Sequence, residues 1–191
     1  DSGMSRGLGD VYKRQNANMA LAAERILFSK TLNAGQICLS PDYIFVKKDE
    51  EKNLISELQK AYSKFFPEPN SHNQTSMVNK HHLKRMNSYL LDATKKGAKV
   101  ESLGKNDDLD RNMISTKVVT KVNDSMDVMR HEIFGPILPI MTYENISDVV
   151  DYINKNDNPL GLYYFGKSQS EQNFVINLSL IHISEPTRHS A

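Results

Sequence analysis

The stretch ANMALAAERILFSKTLNAGQICLSPDYIFV, residues 17–46, reads as a helix, a stop, a short connection and a strand. Residues 17–32 hold no Gly or Pro and are rich in Ala and Leu, strong helix formers. Leu21, Ile26, Leu27, Phe28 and Leu32 spread round much of the circumference, so this helix is expected to be largely buried. Asn33-Ala34-Gly35 is a stop signal, with Asn33 a candidate C-cap. Tyr43-Ile44-Phe45-Val46 is β-branched and aromatic, too short for a helix, and closed by Lys47-Lys48. Cys38 stands in the connection between the two elements.

The same alternation continues outward. Leu54, Ile55, Leu58, Ala61, Tyr62 and Phe65 form one helical face, ended by Pro67 and Pro69. Leu83, Met86, Leu90 and Leu91 form another, ended at Gly97. Residues 98–103 read as a weak strand, Asn106-Asp107-Asp108 as a turn and 112–120 as a strand. Ile137–Met141 reads as a strand whose Pro139 needs an edge or a bulge, because proline cannot donate to the ladder. Ile146, Val149, Val150 and Ile153 make an amphipathic helix with Asn145 as N-cap. Leu162–Phe165 reads as a strand, and Ser168 or Ser170 caps a last helix carrying Phe174, Val175 and Leu178. Short apolar strands alternating with helices predict an α/β fold, a layered, open, largely parallel sheet with helices on both faces.

Composition narrows the function. The 191 residues carry 24 Lys and Arg against 23 Asp and Glu, a net charge of +1. That balance gives no support to nucleic-acid binding or a polybasic membrane contact. No apolar run is long enough to span a bilayer. A single cysteine, Cys38, excludes a disulfide within the chain and a Cys-rich zinc site. His72, His81, His82 and His131 show no ligand spacing, and the adjacent pair at 81 and 82 points to different helix faces. Lys80, His81, His82, Lys84 and Arg85 read as a solvated helix face.

Cys38 follows Gly35, whose lack of a Cβ permits a tight turn or a close approach, and precedes Pro41, which forces an extended exit. A thiol on such a connection can face a cleft with backbone N–H groups that stabilise a thiolate or an oxyanion. A lone cysteine is more often a small buried hydrophobe. Glu132 on its own reads as a solvated carboxylate, and Phe134 as core packing.

Wording goes further than spacing. Asn33-Ala34-Gly35-Gln36-Ile37-Cys38 resembles the cysteine motif of the aldehyde dehydrogenase superfamily, and Leu39-Ser40-Pro41-Asp42-Tyr43 resembles the branch holding the class 3, fatty aldehyde and coniferyl aldehyde dehydrogenases. Glu132-Ile133-Phe134-Gly135-Pro136-Ile137-Leu138-Pro139, beginning 94 residues after Cys38, resembles the family's nicotinamide-side motif. Pro159-Leu160-Gly161-Leu162-Tyr163 resembles a third segment. The resemblance implies that Cys38 attacks an aldehyde as a thiolate, passes hydride from the thiohemiacetal to NAD or NADP, and leaves a thioester for water to hydrolyse. It implies that Glu132 binds the nicotinamide ribose, that Phe134 packs near the nicotinamide ring, and that Asn33 and Gln36 shape the loop. It further implies a small-molecule aldehyde substrate and a homo-oligomeric parent enzyme. A cytoplasmic location is the expectation from the single thiol and the lack of a signal-peptide pattern in residues 1–15.

The resemblance covers residues 16–179, read as a partial catalytic domain. Residues 1–15 and 180–191 are aperiodic and read as foreign-looking or frayed segments. The family's Glu-Leu-Gly-Gly-Lys type base motif has no counterpart where MSRGLGDV stands, residues 4–11. The dinucleotide-binding domain has no counterpart either, so the isolated chain is expected to be inactive. The alternative reading is a non-catalytic structural or interaction fragment of the same fold.

Overall fold

The structure is a computed structural model that describes residues 18–67, 74–105, 107–156 and 160–179. The segments 1–15 and 180–191 lie outside the described residues. The chain divides into two units, one spanning Asn18–Tyr143 and one holding the described residues from Glu144 onward.

The first unit opens with α1, Met19–Thr31. The Asn18 side chain starts it by accepting the Leu21 N–H at 3.1 Å. β1 (Ile44–Lys47), α2 (Glu51–Phe65), α3 (Lys80–Lys95), β2 (Lys99–Ser102), β3 (Lys117–Thr120), α4 (Asp127–Arg130) and β4 (Ile137–Tyr143) follow. The strands lie in the order β1-β4-β3-β2. The β1–β4 and β3–β4 pairings are parallel and β2–β3 is antiparallel, so the sheet is open and largely parallel.

Side chains alternate across the sheet with the period of two that a strand imposes. Val118, Leu138 and Ile140 join Val46 in one apolar cluster with Ala23, Ile26 and Leu27 of α1 and Leu54, Leu58 and Tyr62 of α2. Val119 and Ile137 join the opposite cluster, with Leu83, Met86, Tyr89 and Ala93 of α3. Helices therefore cover both faces, as the alternating pattern predicts. Each Leu or Ile so buried contributes about 1.5–3 kcal/mol of transfer free energy.

Four local expectations are corrected. Pro139 lies in the central strand, not at an edge: β1 joins β4 only from Ile140 on, one residue past the proline. The missing N–H thus comes before the first rung of that ladder. The strand expected over 112–120 is confined to Lys117–Thr120, because Asp108 and Met113 bridge across a turn and draw the chain away. α1 is buried on one stripe only, with Phe28 61% and Leu32 51% exposed. Helical apolarity records which residues seek cover, not how many sides receive it.

The second unit holds α5 (Ile146–Lys155) and α6 (Gln169–Ser179), which pack on each other. Asn145 starts α5, its N–H donating to the Asp148 carboxylate at 3.3 Å in a capping box. Ser168 caps α6, its Oγ accepting the Glu171 N–H at 3.2 Å. The fourth correction falls here: Leu162–Phe165 forms no strand. Its apolar and aromatic composition has no strand to pair with among the described residues of this unit.

Candidate active site

α1 ends in a left-handed turn. Asn33 (φ 50°), Ala34 (φ 55°) and Gly35 (φ 71°) take the left-handed region in succession. Asn33 is the residue after the helix cap, Leu32, where an asparagine tolerates this geometry at low cost. Ala34 carries roughly 1–2 kcal/mol of strain. Three side-chain bonds hold the turn. Asn33 Nδ2 donates to the Gln36 carbonyl at 3.2 Å, and Gln36 Nε2 donates to the carbonyls of Asn33 at 2.9 Å and Ser76 at 3.3 Å. Gln36 Oε1 accepts the Val78 N–H at 2.9 Å, tying the turn to the segment ahead of α3.

Cys38 comes next, exposed, in a second turn closed by the Ser40 N–H on the Ile37 carbonyl at 3.0 Å. The thiol is thus presented on a helix-to-strand connection and is not packed into the core.

The Glu132–Pro136 segment joins α4 to β4 and lies against this connection. Gly35 touches Gly135 backbone to backbone: a Cβ on Gly35 would stand 2.5 Å from the Gly135 carbonyl oxygen. At the other end of the turn, Asp42 Oδ2 accepts the Ile133 N–H at 3.4 Å. Two contacts, one on each side of Cys38, therefore bring together segments about ninety residues apart. Glu132 is exposed, and Phe134 is half-buried with a left-handed backbone, φ 48°. A bulky residue held there costs on the order of 1–3 kcal/mol and persists only where its surroundings impose it.

Three charged residues at this junction were not singled out for it by the sequence. Lys30 is fully buried on the stripe Ala23, Ile26, Leu27, Lys30 and donates to the Pro41 carbonyl at 2.8 Å. Burial pulls its ammonium down to about 8, with the Asp42 charge pulling back up. Burial pushes the Asp42 carboxyl above its ordinary value, against Lys30, the Ile133 N–H and Arg85, with Glu132 adding to the rise. Arg85 is not part of a solvated face. Its guanidinium donates to the carbonyls of Glu132 at 3.1 Å and Ile133 at 2.8 Å and lies over the Tyr89 ring. A lysine on the buried stripe of α1 was the one sequence signal available for this cluster.

Of the third matching segment, Pro159 lies outside the described residues, and Gly161–Tyr163 belong to the second unit. His72 is likewise outside the described residues. No helix among the described residues is long and apolar enough to cross a membrane.

The sequence profile of the aldehyde dehydrogenase family matches residues 13–179. The chain is 38% identical over 175 residues to the "Probable coniferyl aldehyde dehydrogenase" of Caulobacter vibrioides, covering 89% of this chain and 36% of that protein. It is 31% identical over 163 residues to mouse aldehyde dehydrogenase family 3 member B1, covering 84% of this chain and 34% of that protein. Among solved structures, the substrate-bound state of Staphylococcus aureus AldH superposes with a TM-score of 0.78 at 34% identity, over 84% of this chain and 35% of that one. The chain thus spans little more than a third of the length of these relatives.

Proposed function

Because this chain belongs to the aldehyde dehydrogenase family, we propose that the protein it represents oxidises an aldehyde to a carboxylic acid with NAD or NADP, and that Cys38 is its nucleophile. The observation that carries the reading is the pairing of the exposed Cys38 turn with the Glu132–Pro136 loop through Gly35–Gly135 and Asp42–Ile133.

The chemistry follows from the aldehyde, whose carbon carries no good leaving group. The Cys38 thiolate forms an S–C bond as the carbonyl π pair moves to oxygen. The Cys38 backbone N–H faces the resulting oxyanion and stabilises it. The C=O then re-forms as the carbon gives up its hydrogen with the bonding electron pair. NAD(P)+, when bound, supplies the acceptor for that pair. Cys38 is left acylated; water adds to the thioester, its proton goes to a base, and the S–C bond breaks to return the thiolate and release the acid.

The residues present suit the nicotinamide group. Glu132 offers an exposed carboxylate, the acceptor that a pair of ribose hydroxyls requires, and Phe134 offers a half-buried ring two residues on. We assign Glu132 to the ribose and Phe134 to the ring. These 191 residues carry no match to the family's base motif or to its dinucleotide-binding domain, so the chain made alone is expected to give no steady NAD(P)H formation.

The test is NAD(P)H formation by the full-length protein with aromatic, aliphatic and coniferyl-type aldehydes. Wild-type protein is expected to turn over, and Cys38→Ala to lose at least about a thousandfold in kcat, as nucleophile deletions do. Undiminished turnover by Cys38→Ala would overturn the assignment.

A further inference from the structure

The reaction described above makes no use of the most deeply buried charge near the thiol. Lys30 is 0% exposed, yet a leucine or methionine would fill the same volume of α1 without desolvating an ammonium. Its partners show what it does. Lys30 Nζ donates to the Pro41 carbonyl, one residue before Asp42, and its charge acts on the Asp42 carboxylate. Asp42 accepts the N–H of Ile133. Arg85, from α3 on the opposite face of the sheet, donates to the carbonyl of the same residue and to that of Glu132. Ile133 itself is fully buried. The backbone at Ile133 is therefore held on its N–H by the cysteine turn and on its C=O by α3.

We propose that Lys30, Asp42 and Arg85 are positioning residues that clamp the backbone at Ile133 and so fix the Glu132–Phe134 loop in register with Cys38. The inference deepens the proposed function and rests on its assignment of both loops to one site. The clamp works through hydrogen-bond geometry. Lys30 holds the end of the turn and offsets the carboxylate, Asp42 carries the bond across, and Arg85 sets the opposite side of the same residue. Lys30 is fully buried and Asp42 half-buried, so an ammonium left here without the Pro41 carbonyl and the nearby carboxylate would cost several kcal/mol. The other charges that face Asp42 are Glu132 and Arg85.

The test reads two properties of the 191-residue chain that need no turnover: hydrogen exchange of the peptide spanning 131–137, and the rate of Cys38 alkylation by iodoacetamide. Asp42→Ala removes the acceptor. It is expected to speed exchange of the Ile133 amide about tenfold, the protection one such bond supplies, and to move the Cys38 rate about threefold or more toward that of the urea-unfolded chain. The double variant Lys30→Met/Asp42→Asn removes both charges but keeps an oxygen to accept the Ile133 N–H. It is expected to stay within about twofold of wild type in both readouts, a rescue that general loosening of the core does not produce. Should Asp42→Ala unfold, seen as equally fast exchange in β3 and β4, Arg85→Met replaces it: it frees the carbonyls of Glu132 and Ile133, and is expected to speed exchange across 131–137 and to move the Cys38 rate about threefold or more toward that of the urea-unfolded chain. Wild-type exchange and alkylation in the single variant, or no rescue in the double, would overturn the proposal. A Cys38→Ala protein that still oxidised aldehydes would instead overturn the proposed function and leave the exchange result standing.

Discussion

Gly35 and Gly135 meet with no side chain between them: a Cβ on Gly35 would stand 2.5 Å from the Gly135 oxygen, 2.8 Å from its carbonyl carbon and 3.1 Å from the Lys30 oxygen. The two segments that carry the candidate catalytic and cofactor residues are thereby in backbone contact. The approach is possible only because the left-handed turn at Asn33–Gly35 ends in a residue without a Cβ.

Gly35→Ala is expected to be among the costliest substitutions in the chain. It meets a left-handed backbone, φ +71°, and fixed backbone atoms besides, for a combined loss of about 3 kcal/mol or more. Gly97→Ala is the control. Its φ of +96° imposes the conformational cost alone, about 1 kcal/mol, since nothing lies within 4 Å. Urea unfolding of both variants separates the two effects, and equal losses would contradict the contact.

Gly135→Ala acts through a different neighbour. Its Cβ would overlap Met86 Sδ, and Met86 is fully buried in α3. Overpacking of this kind costs about 1–3 kcal/mol, and Met86→Ala alone about 2–5 kcal/mol. The double variant is expected to be more stable than the sum of the two by at least about 1 kcal/mol, because one change makes room for the other. Strict additivity in denaturant titrations would show that the two residues do not touch.

Gln36→Glu keeps the acceptor for the Val78 N–H but turns two donated bonds, to Asn33 and Ser76, into a carboxylate facing two carbonyls. The loss expected near neutral pH is about 2–3 kcal/mol, the scale of a broken bond plus an unsatisfied group. Protonation of the new carboxyl restores a donor, so the deficit relative to wild type should shrink as the pH falls toward 4. A deficit independent of pH would contradict the bonding scheme.

Lys30 predicts an alkaline rise in stability. Burial lowers its folded value from 10.5 to about 8, so between those values the unfolded chain binds a proton that the folded chain has released. Stability therefore increases as pH climbs from about 8 to about 10, by up to about 1.4 kcal/mol per pH unit. Above 10 the sign reverses for Tyr62, which burial holds up to about 12, so the folded chain keeps a proton the unfolded chain gives up. Lys30→Met removes the first effect and leaves the second. Wild-type and variant stability curves that run parallel between pH 8 and 10 would exclude the buried ammonium.

Helices and stops are legible in this sequence because their signals are local. The apolar stripe of α2, the Gly97 stop at φ +96° and the Asn145–Asp148 capping box each lie within a few residues. Strands are less so, since a strand exists only where a partner runs beside it. Leu162–Phe165 has the composition and no ladder, while Pro139 sits in the central strand at the one place a missing N–H does no harm. The candidate site is legible as wording, in two motifs in order, and not as geometry. No local rule joins Asp42 to Ile133 across 91 residues. Lys30 could have been found from the stripe Ala23, Ile26, Leu27, Lys30, where a charge among apolar neighbours demands a partner. Nothing in the sequence names that partner as the Pro41 carbonyl.

The most direct measurement is rapid acid quench of the full-length protein mixed with an aldehyde and NAD(P)+, followed by mass analysis of the peptide that contains Cys38. The expected result is the added mass of the acyl group on Cys38, lost on treatment with hydroxylamine and absent when the cofactor is withheld. An aldehyde oxidised at full rate while Cys38 stays unmodified, with the acyl group on another residue, would contradict it.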